Sequence, residues 1–226
     1  MVVWERPEPP SRPALAPLSR ERIVQAAIRL ADADGLDAVS LRKVATALDV
    51  GPMRLYGYIE GKEELLDLMV DATHAEIRAS GEGWREVLRS HAEAMRRAVR
   101  RHEWLADLLG GRPQLGPEAL ATSESVMSGL DDIGVDEIMP LVSAINAYTI
   151  GAVRREIAER RAERATGMDE KHWQAELGPY LTRSFATGKL PALAKVVHDA
   201  VHLDADETFR IGLDCLLDGI EARISR

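Results

Sequence analysis

The chain has 226 residues, 46% of them apolar, with 29 Lys and Arg against 37 Asp and Glu, a net charge of −8, and one cysteine. Its composition excludes an internal disulfide, and no stretch approaches the roughly 20 consecutive apolar residues of a membrane span. The N-terminus carries acidic residues and prolines where a secretory signal has a basic start and an apolar run, so the expectation is a cytoplasmic protein of one or two domains.

Charge is unevenly spread. Residues 19–62 hold seven basic and six acidic side chains, whereas 63–226 hold 20 and 29, a net of −9. A nucleic-acid partner is compatible with the first part, and the acidic remainder disfavours an architectural protein that wraps DNA along its length.

In chain order, Pro7, Pro9, Pro10, Pro13 and Pro17 remove backbone donors and block helix, so 1–18 reads as a loosely held arm. Ser19 can cap a helix bearing Ile23, Ala27, Leu30 and Ala31 at helical spacing, with Gly35 to end it. Ser40 can cap a second, with Leu41, Val44, Ala45 and Leu48 on one face. Asp49-Val50-Gly51 then forms a three-residue turn. Pro52 opens a short third helix to about Ile59, with Leu55 and Ile59 inward and Met53, Arg54, Tyr56, Gly57 and Tyr58 outward or sideways. Lys62 begins a fourth helix, acidic in its first turn, that reaches about Ala79. From Gly83 onward the pattern stays helical, with breaks at 110–113, 116–117, 134, 167, 178–179, 188–191 and about 204. No segment alternates like a strand. The predicted fold is all-α: a helix-turn-helix unit with its connecting helix over 19–79, the motif itself at about 40–59, and a larger helical domain over 80–226.

A helix-turn-helix reads DNA because its second helix fits the major groove while the first braces it across the backbone. Arg42, Lys43, Arg54, Tyr56 and Lys62 supply donors where that geometry needs them. By spacing alone they equally describe a solvated face between two ordinary short helices. The run SLRKVATALDVGPMRLYGYIEGKEELLDLM, residues 40–69, resembles the DNA-binding segment of the TetR family through Ser40, Arg42, Ala45, Leu48, Val50, Leu55, Tyr56, Tyr58, Lys62, Leu65 and Leu66. The resemblance implies that Arg42, Met53, Arg54 and Tyr58 reach bases and that Tyr56 and Lys62 hold phosphates. Ser40, Lys43, Pro52 and Gly57 complete the candidate DNA face.

Segments 83–113, 143–157 and 209–224 are similar, in the same order, to the tetracycline-repressor type of C-terminal domain. This implies a homodimer that binds a double-stranded operator and is released by a small-molecule inducer. The positions resembling the family's pocket are Arg78, His91, Met95, Trp104, Leu108, Arg112, Val126, Met139 and Val142. Most are apolar, so the inducer is expected to be largely apolar. The tetracycline repressor holds drug and magnesium partly through two histidines and a glutamate, which local matching replaces with Arg78, Leu108 and Arg155. None can serve as those ligands do, so neither a cofactor nor a magnesium-tetracycline inducer is expected.

In the final helix Phe209, Leu213, Leu216 and Ile220 share one face, while the small residues Gly212, Cys215 and Gly219 share another. Ala144, Ala147 and Gly151 repeat the small set in the helix at 143–157. Small residues let helix axes approach, so these faces are the expected dimer interface, though they could also pack within one subunit. The rival reading is a metal-dependent hydrolase using His198 and His202, spaced i, i+4 as in a zinc-protease helix. It has Asp199 where that helix carries Glu, and no third ligand is identified. The glycine-rich segment 110–116 follows no strand and is no phosphate loop. The expected function is therefore regulatory and not enzymatic.

Overall fold

The computed structural model describes residues 2–10, 17–111 and 114–225, and all regular structure among them is helical. α1 (Arg20–Asp34) begins where Ser19 Oγ accepts from the Arg22 N–H at 3.2 Å and stops at Gly35, whose φ is +81°. α2 (Leu41–Ala47) starts the same way, with Ser40 Oγ accepting from the Lys43 N–H at 3.3 Å. A 3₁₀ turn, Pro52–Gly57, and α3 (Lys62–His74) complete the N-terminal unit. Then come α4 (Gly83–Arg101), α5 (Leu105–Leu108), α6 (Pro117–Met127), α7 (Val135–Thr166), α8 (Glu170–Ala186), α9 (Pro191–Asp199) and α10 (Ala205–Ile224). Among the described residues no helix is long and apolar enough to cross a membrane.

Two apolar clusters hold α1–α7 and α10 together, with no described residue of α8 or α9 in either. The first joins α1, α2 and α3 to Ala94, Met95, Ala98 and Val99 of α4, to Trp104 and Leu105, and to Val153 and Ile157 of α7. The second packs Val87 and Leu88 of α4 against Val126 and Leu130, Leu141 and Ile145 of α7, and Phe209, Leu213, Leu217 and Ile220 of α10. α4 belongs to both, so the proposed domain division near residue 80 marks a change of element and not a gap in apolar packing. A movement of α4 is therefore felt in both units.

Several expectations need correction. The arm is not loose over 2–10: Val3–Glu5 forms a 3₁₀ turn and Val3 is buried in the first cluster. The prolines prevent helix, but Val3 and Trp4 precede them and supply apolar surface to bury. α3 stops at His74, short of Ala79. No break occurs at 178–179, because α8 runs through Pro179. None of the described residues of α8 is buried, so the carbonyl that Pro179 leaves unpaired can be solvated.

In α10 the inward face is Phe209, Leu213, Leu217 and Ile220, all buried. Gly212 serves internal packing and not the expected outer face: a Cβ there would lie 2.3 Å from Tyr148 Oη, which donates to the Phe209 carbonyl at 2.8 Å. Ala144, Ala147, Gly151, Cys215 and Gly219 are exposed on the single chain. α9 ends at Asp199 and Ala200 is extended, so His198 and His202 do not share a helix face. Among the described residues no group of three His, Cys, Asp or Glu could hold a metal ion.

Candidate DNA-binding face and ligand cavity

The DNA-facing end is built on a buried anchor. Asp49 takes the left-handed position of the turn at φ 54°, and the Val50 N–H donates to the Ala45 carbonyl at 3.0 Å, folding the chain back under α2. Pro52 then starts the 3₁₀ turn, and Leu55 and Ile59, both fully buried, fasten it to α1 and α3. Met53 is 79% and Tyr56 52% exposed, while Arg42, Lys43, Arg54 and Lys62 are also exposed. Among the described residues none of these four cations has an ion-pair partner. The Ser40 hydroxyl is occupied in capping α2.

Tyr58 departs from expectation. It is 6% exposed and its hydroxyl donates to the Leu18 carbonyl at 2.9 Å, so it is an internal tie and not a base reader. Tyr58 lies three residues after Leu55, on the same side of the turn, and its ring packs inward with the hydroxyl tied to the segment before α1.

The cavity lies between α4, α6 and α7, closed at one end by His74 of α3 and by Leu108, Leu109 and Gln114, with a volume of about 440 Å³. Of the residues singled out in the sequence, His91, Met95, Leu108, Val126, Met139 and Val142 line it. Arg78 and Trp104 do not. Arg78 lies beyond the end of α3 and pairs at the surface with Glu118, and Trp104 turns the other way, toward α1. Arg112 lies outside the described residues. Of the three positions matched to the tetracycline repressor's ligands, only Leu108 reaches this cavity; Arg155 borders a separate groove between α7 and α10.

Six polar members of the wall were missed: His74, Gln114, Thr122, Ser123, Ser143 and Asn146. Asn146 Oδ1 lies 2.9 Å from His91 Nε2 and can only accept, so Nε2 carries the proton and His91 Nδ1 is left a bare acceptor. That atom, and both ring nitrogens of His74, are buried without a hydrogen-bond partner. Burial pushes both imidazoles below the ordinary histidine value, so both are neutral near pH 7. A buried polar atom without a partner costs about 1–3 kcal/mol. Here the two rings that carry such atoms belong to a cavity wall made mainly of Met, Leu, Val, Ile and Ala. That combination suits an apolar molecule carrying hydroxyl or carbonyl oxygens. No sequence signal separates His74 from a core residue, since only the early end of α3 brings it to the wall.

Cavity and DNA-facing end are joined by hydrogen bonds. Trp104 Nε1 donates to Asp32 Oδ1 of α1 at 2.7 Å, and His102 sits between Asp32 (2.8 Å) and Glu76 (3.2 Å). Four residues beyond Trp104 the same segment lines the cavity through Leu108 and Leu109, while Arg154 of α7 donates to the Ala106 and Leu109 carbonyls.

Comparison with known proteins shows the family. Residues 23–69 match the family described as bacterial regulatory proteins, tetR family, and residues 79–224 match the tetracyclin repressor-like C-terminal domain. The chain is 35% identical over 232 residues to the HTH-type transcriptional repressor DrrR1 of Streptomyces coeruleorubidus, covering all of this chain and 85% of that one. It is 29% identical over 219 residues to the class D tetracycline repressor protein of Escherichia coli, covering 93% of each. The structure of the TetR family protein ActR of Streptomyces coelicolor in complex with actinorhodin superposes with a TM-score of 0.78 at 26% identity, over 93% of this chain and all of that one. No comparison supports the hydrolase reading. The chain belongs to the TetR family of DNA-binding transcriptional regulators.

Proposed function

We propose that this protein is a cytoplasmic one-component repressor, a homodimer that grips a palindromic operator through residues 40–62 and lets go when a small molecule fills the cavity beside His74 and His91. In this reading Arg42, Met53 and Arg54 face bases, while Lys43, Tyr56 and Lys62 hold phosphates. Ser40, Pro52 and Gly57 shape the turns that present them. Ala144, Ala147, Gly151, Cys215 and Gly219 form the small-residue face toward the second subunit.

The observation that carries the proposal is the continuity of 102–109: one segment bonds to α1 at Asp32 and lines the cavity at Leu108 and Leu109. A ligand that favours one position of this segment changes the setting of α1 and so the spacing of the two reading heads.

The test selects a duplex from a random pool with the purified protein and follows its binding by fluorescence anisotropy. A palindrome bound by a dimer, with affinity falling steeply as salt rises, is expected. Lys62→Ala should weaken all sequences alike, and Arg42→Ala should cost about 1–3 kcal/mol and relax one position per half-site. Actinorhodin, the ligand of the ActR structure, is the first molecule to titrate, and tetracycline with magnesium should leave the complex intact. Selection of no palindrome, or release by magnesium-tetracycline, overturns the corresponding part.

A further inference from the structure

We propose that residues 2–10 are a working part of the reading head, in which Pro9 and Arg6 brace the 3₁₀ turn and Arg6 neutralises the carboxylates on either side of Lys62. The inference rests on the operator-binding reading above and assigns a role to a segment that reading does not use.

The contacts converge on the end of the reading turn. Arg6 Nη2 donates to the Tyr58 carbonyl at 3.2 Å and to Glu64 Oε2 at 2.5 Å, and Nη1 pairs with Glu60. Arg20, the first residue of α1, closes the loop: its side chain donates to the Arg6 carbonyl at 3.0 Å and to the Tyr58 carbonyl at 3.4 Å, and its N–H donates to Glu8 Oε1 at 3.1 Å. Pro9 covers Gly57, where a Cβ would lie only 3.3 Å from Pro9 Cγ. Upstream, buried Val3 and partly buried Trp4 hold the segment in the first apolar cluster. The segment thus ties the start of α1, the last residues of the reading turn and the start of α3 into one unit.

Charge gives these contacts a function in binding. Lys62 sits between Glu60 and Glu64, and carboxylates close to a phosphate contact oppose the approach of DNA. The guanidinium of Arg6 lies between the same two carboxylates. Its side chain is only 20% exposed and that of Glu64 18%, so the pair is screened less than an open surface pair. The Glu64 carboxylate also accepts from the Glu60 N–H at 2.6 Å at the start of α3. The same interaction that orders the helix start therefore fixes a charge that Arg6 must offset.

The experiment uses the full chain and the duplex selected by the wild-type protein. Arg6→Gln keeps Val3, Trp4 and Pro9 in place and should weaken binding about tenfold at low salt, an effect that shrinks as salt screens the repulsion between the two carboxylates and the DNA phosphates. Melting temperature and dimer state should stay near wild type. Adding Glu60→Gln and Glu64→Gln to Arg6→Gln should restore affinity to within about twofold, because the charges that needed offsetting are gone. Loss without rescue would make Arg6 a direct phosphate contact and overturn the neutralising role. Unchanged binding by Arg6→Gln would reduce the segment to a packed terminus and overturn the proposal outright. Pro9→Gly probes the brace alone and should lower affinity with no change in salt slope; wild-type affinity would remove the brace. If the wild-type protein selects no duplex at all, the operator reading fails first, which separates the two outcomes.

Discussion

The reading turn and the ligand cavity are opposite kinds of site. The turn is contiguous: about twenty residues contain its cap, its left-handed residue, its proline start and its buried anchor, and its functional side chains are the ones left outside. The cavity is assembled from α3, α4, α6, α7, residues 108–111 and Gln114, whose members are up to 76 positions apart between His74 and Ile150. A site made by local rules tolerates changes on its surface and fails when its anchor goes. A site made by distant elements fails when their mutual placement shifts.

Anchor removal should give the largest effect. Leu55→Ala should cost about 2–5 kcal/mol, since a fully buried leucine leaves a hole between α1 and α3, and it should abolish operator binding. Met95→Ala, in the cavity wall, should cost less because it enlarges an existing space instead of opening a new one. Denaturant midpoints of the two variants check the ranking, and an equal or reversed order would show that the cavity is as tightly packed as the anchor. Next comes the dimer. Gly151 and Gly219 have open space where a side chain would begin, so leucine fits the isolated chain and crowds only the second subunit. Either substitution should cost on the order of 1–3 kcal/mol per site, twice over by symmetry. Sedimentation should find a folded monomer at low concentration; an undiminished dimer would remove these faces from the interface.

The same contrast explains what was legible in the sequence. Ser19 and Ser40 as caps, Leu55 and Ile59 as anchors and the exposure of Met53, Arg54 and Tyr56 all follow from neighbours a few residues away. Tyr58 failed because what holds it inward is a distant partner, the Leu18 carbonyl 40 residues earlier. Trp104 and Arg78 failed for a longer-range reason: they were placed by resemblance to the family's pocket, but the ends of α3 and α4 decide whether they face the cavity, and those ends are set by packing. The proline-rich start was misread because composition reports what cannot be helical and not what can be buried, and Val3 and Trp4 carry the apolar surface. Gly212 looked like an interface residue until Tyr148 filled its place.

Acidity should act on the cavity with little effect on the turn. Burial lowers the His74 and His91 values below about 6.5, so the unfolded chain takes up these protons before the folded one does. Their contribution to stability is therefore complete above about pH 6.5 and is lost as pH falls from there toward the folded values. Urea midpoints should drop between about pH 7 and 5.5, and the double substitution His74→Leu, His91→Gln should flatten that slope. An unchanged slope would mean that other groups dominate. Protonation also removes the bare acceptor at His91 Nδ1, so a ligand that donates a hydrogen bond to it should bind more weakly over the same range.

The smallest stability effect should come from Trp104→Phe, and it bears on how the two sites communicate. The ring stays buried and the shape is nearly kept. What is lost is one hydrogen bond to Asp32, whose carboxylate still accepts from His102. The net cost should be about 1 kcal/mol. The bond nevertheless spans the joint between α1 and the segment that reaches the cavity at Leu108. If that joint transmits occupancy, ligand affinity and operator affinity measured separately should change little, while the factor by which ligand weakens operator binding shrinks. Coupling is reciprocal, so the factor by which operator weakens ligand binding should shrink equally. Asp32→Asn, which keeps an acceptor but removes the charge that Trp104 and His102 share, should fall between wild type and Trp104→Phe. A Trp104→Phe protein with full coupling in both directions would show that the signal passes instead through the packed lengths of α4 and α7, which both belong to the two apolar clusters.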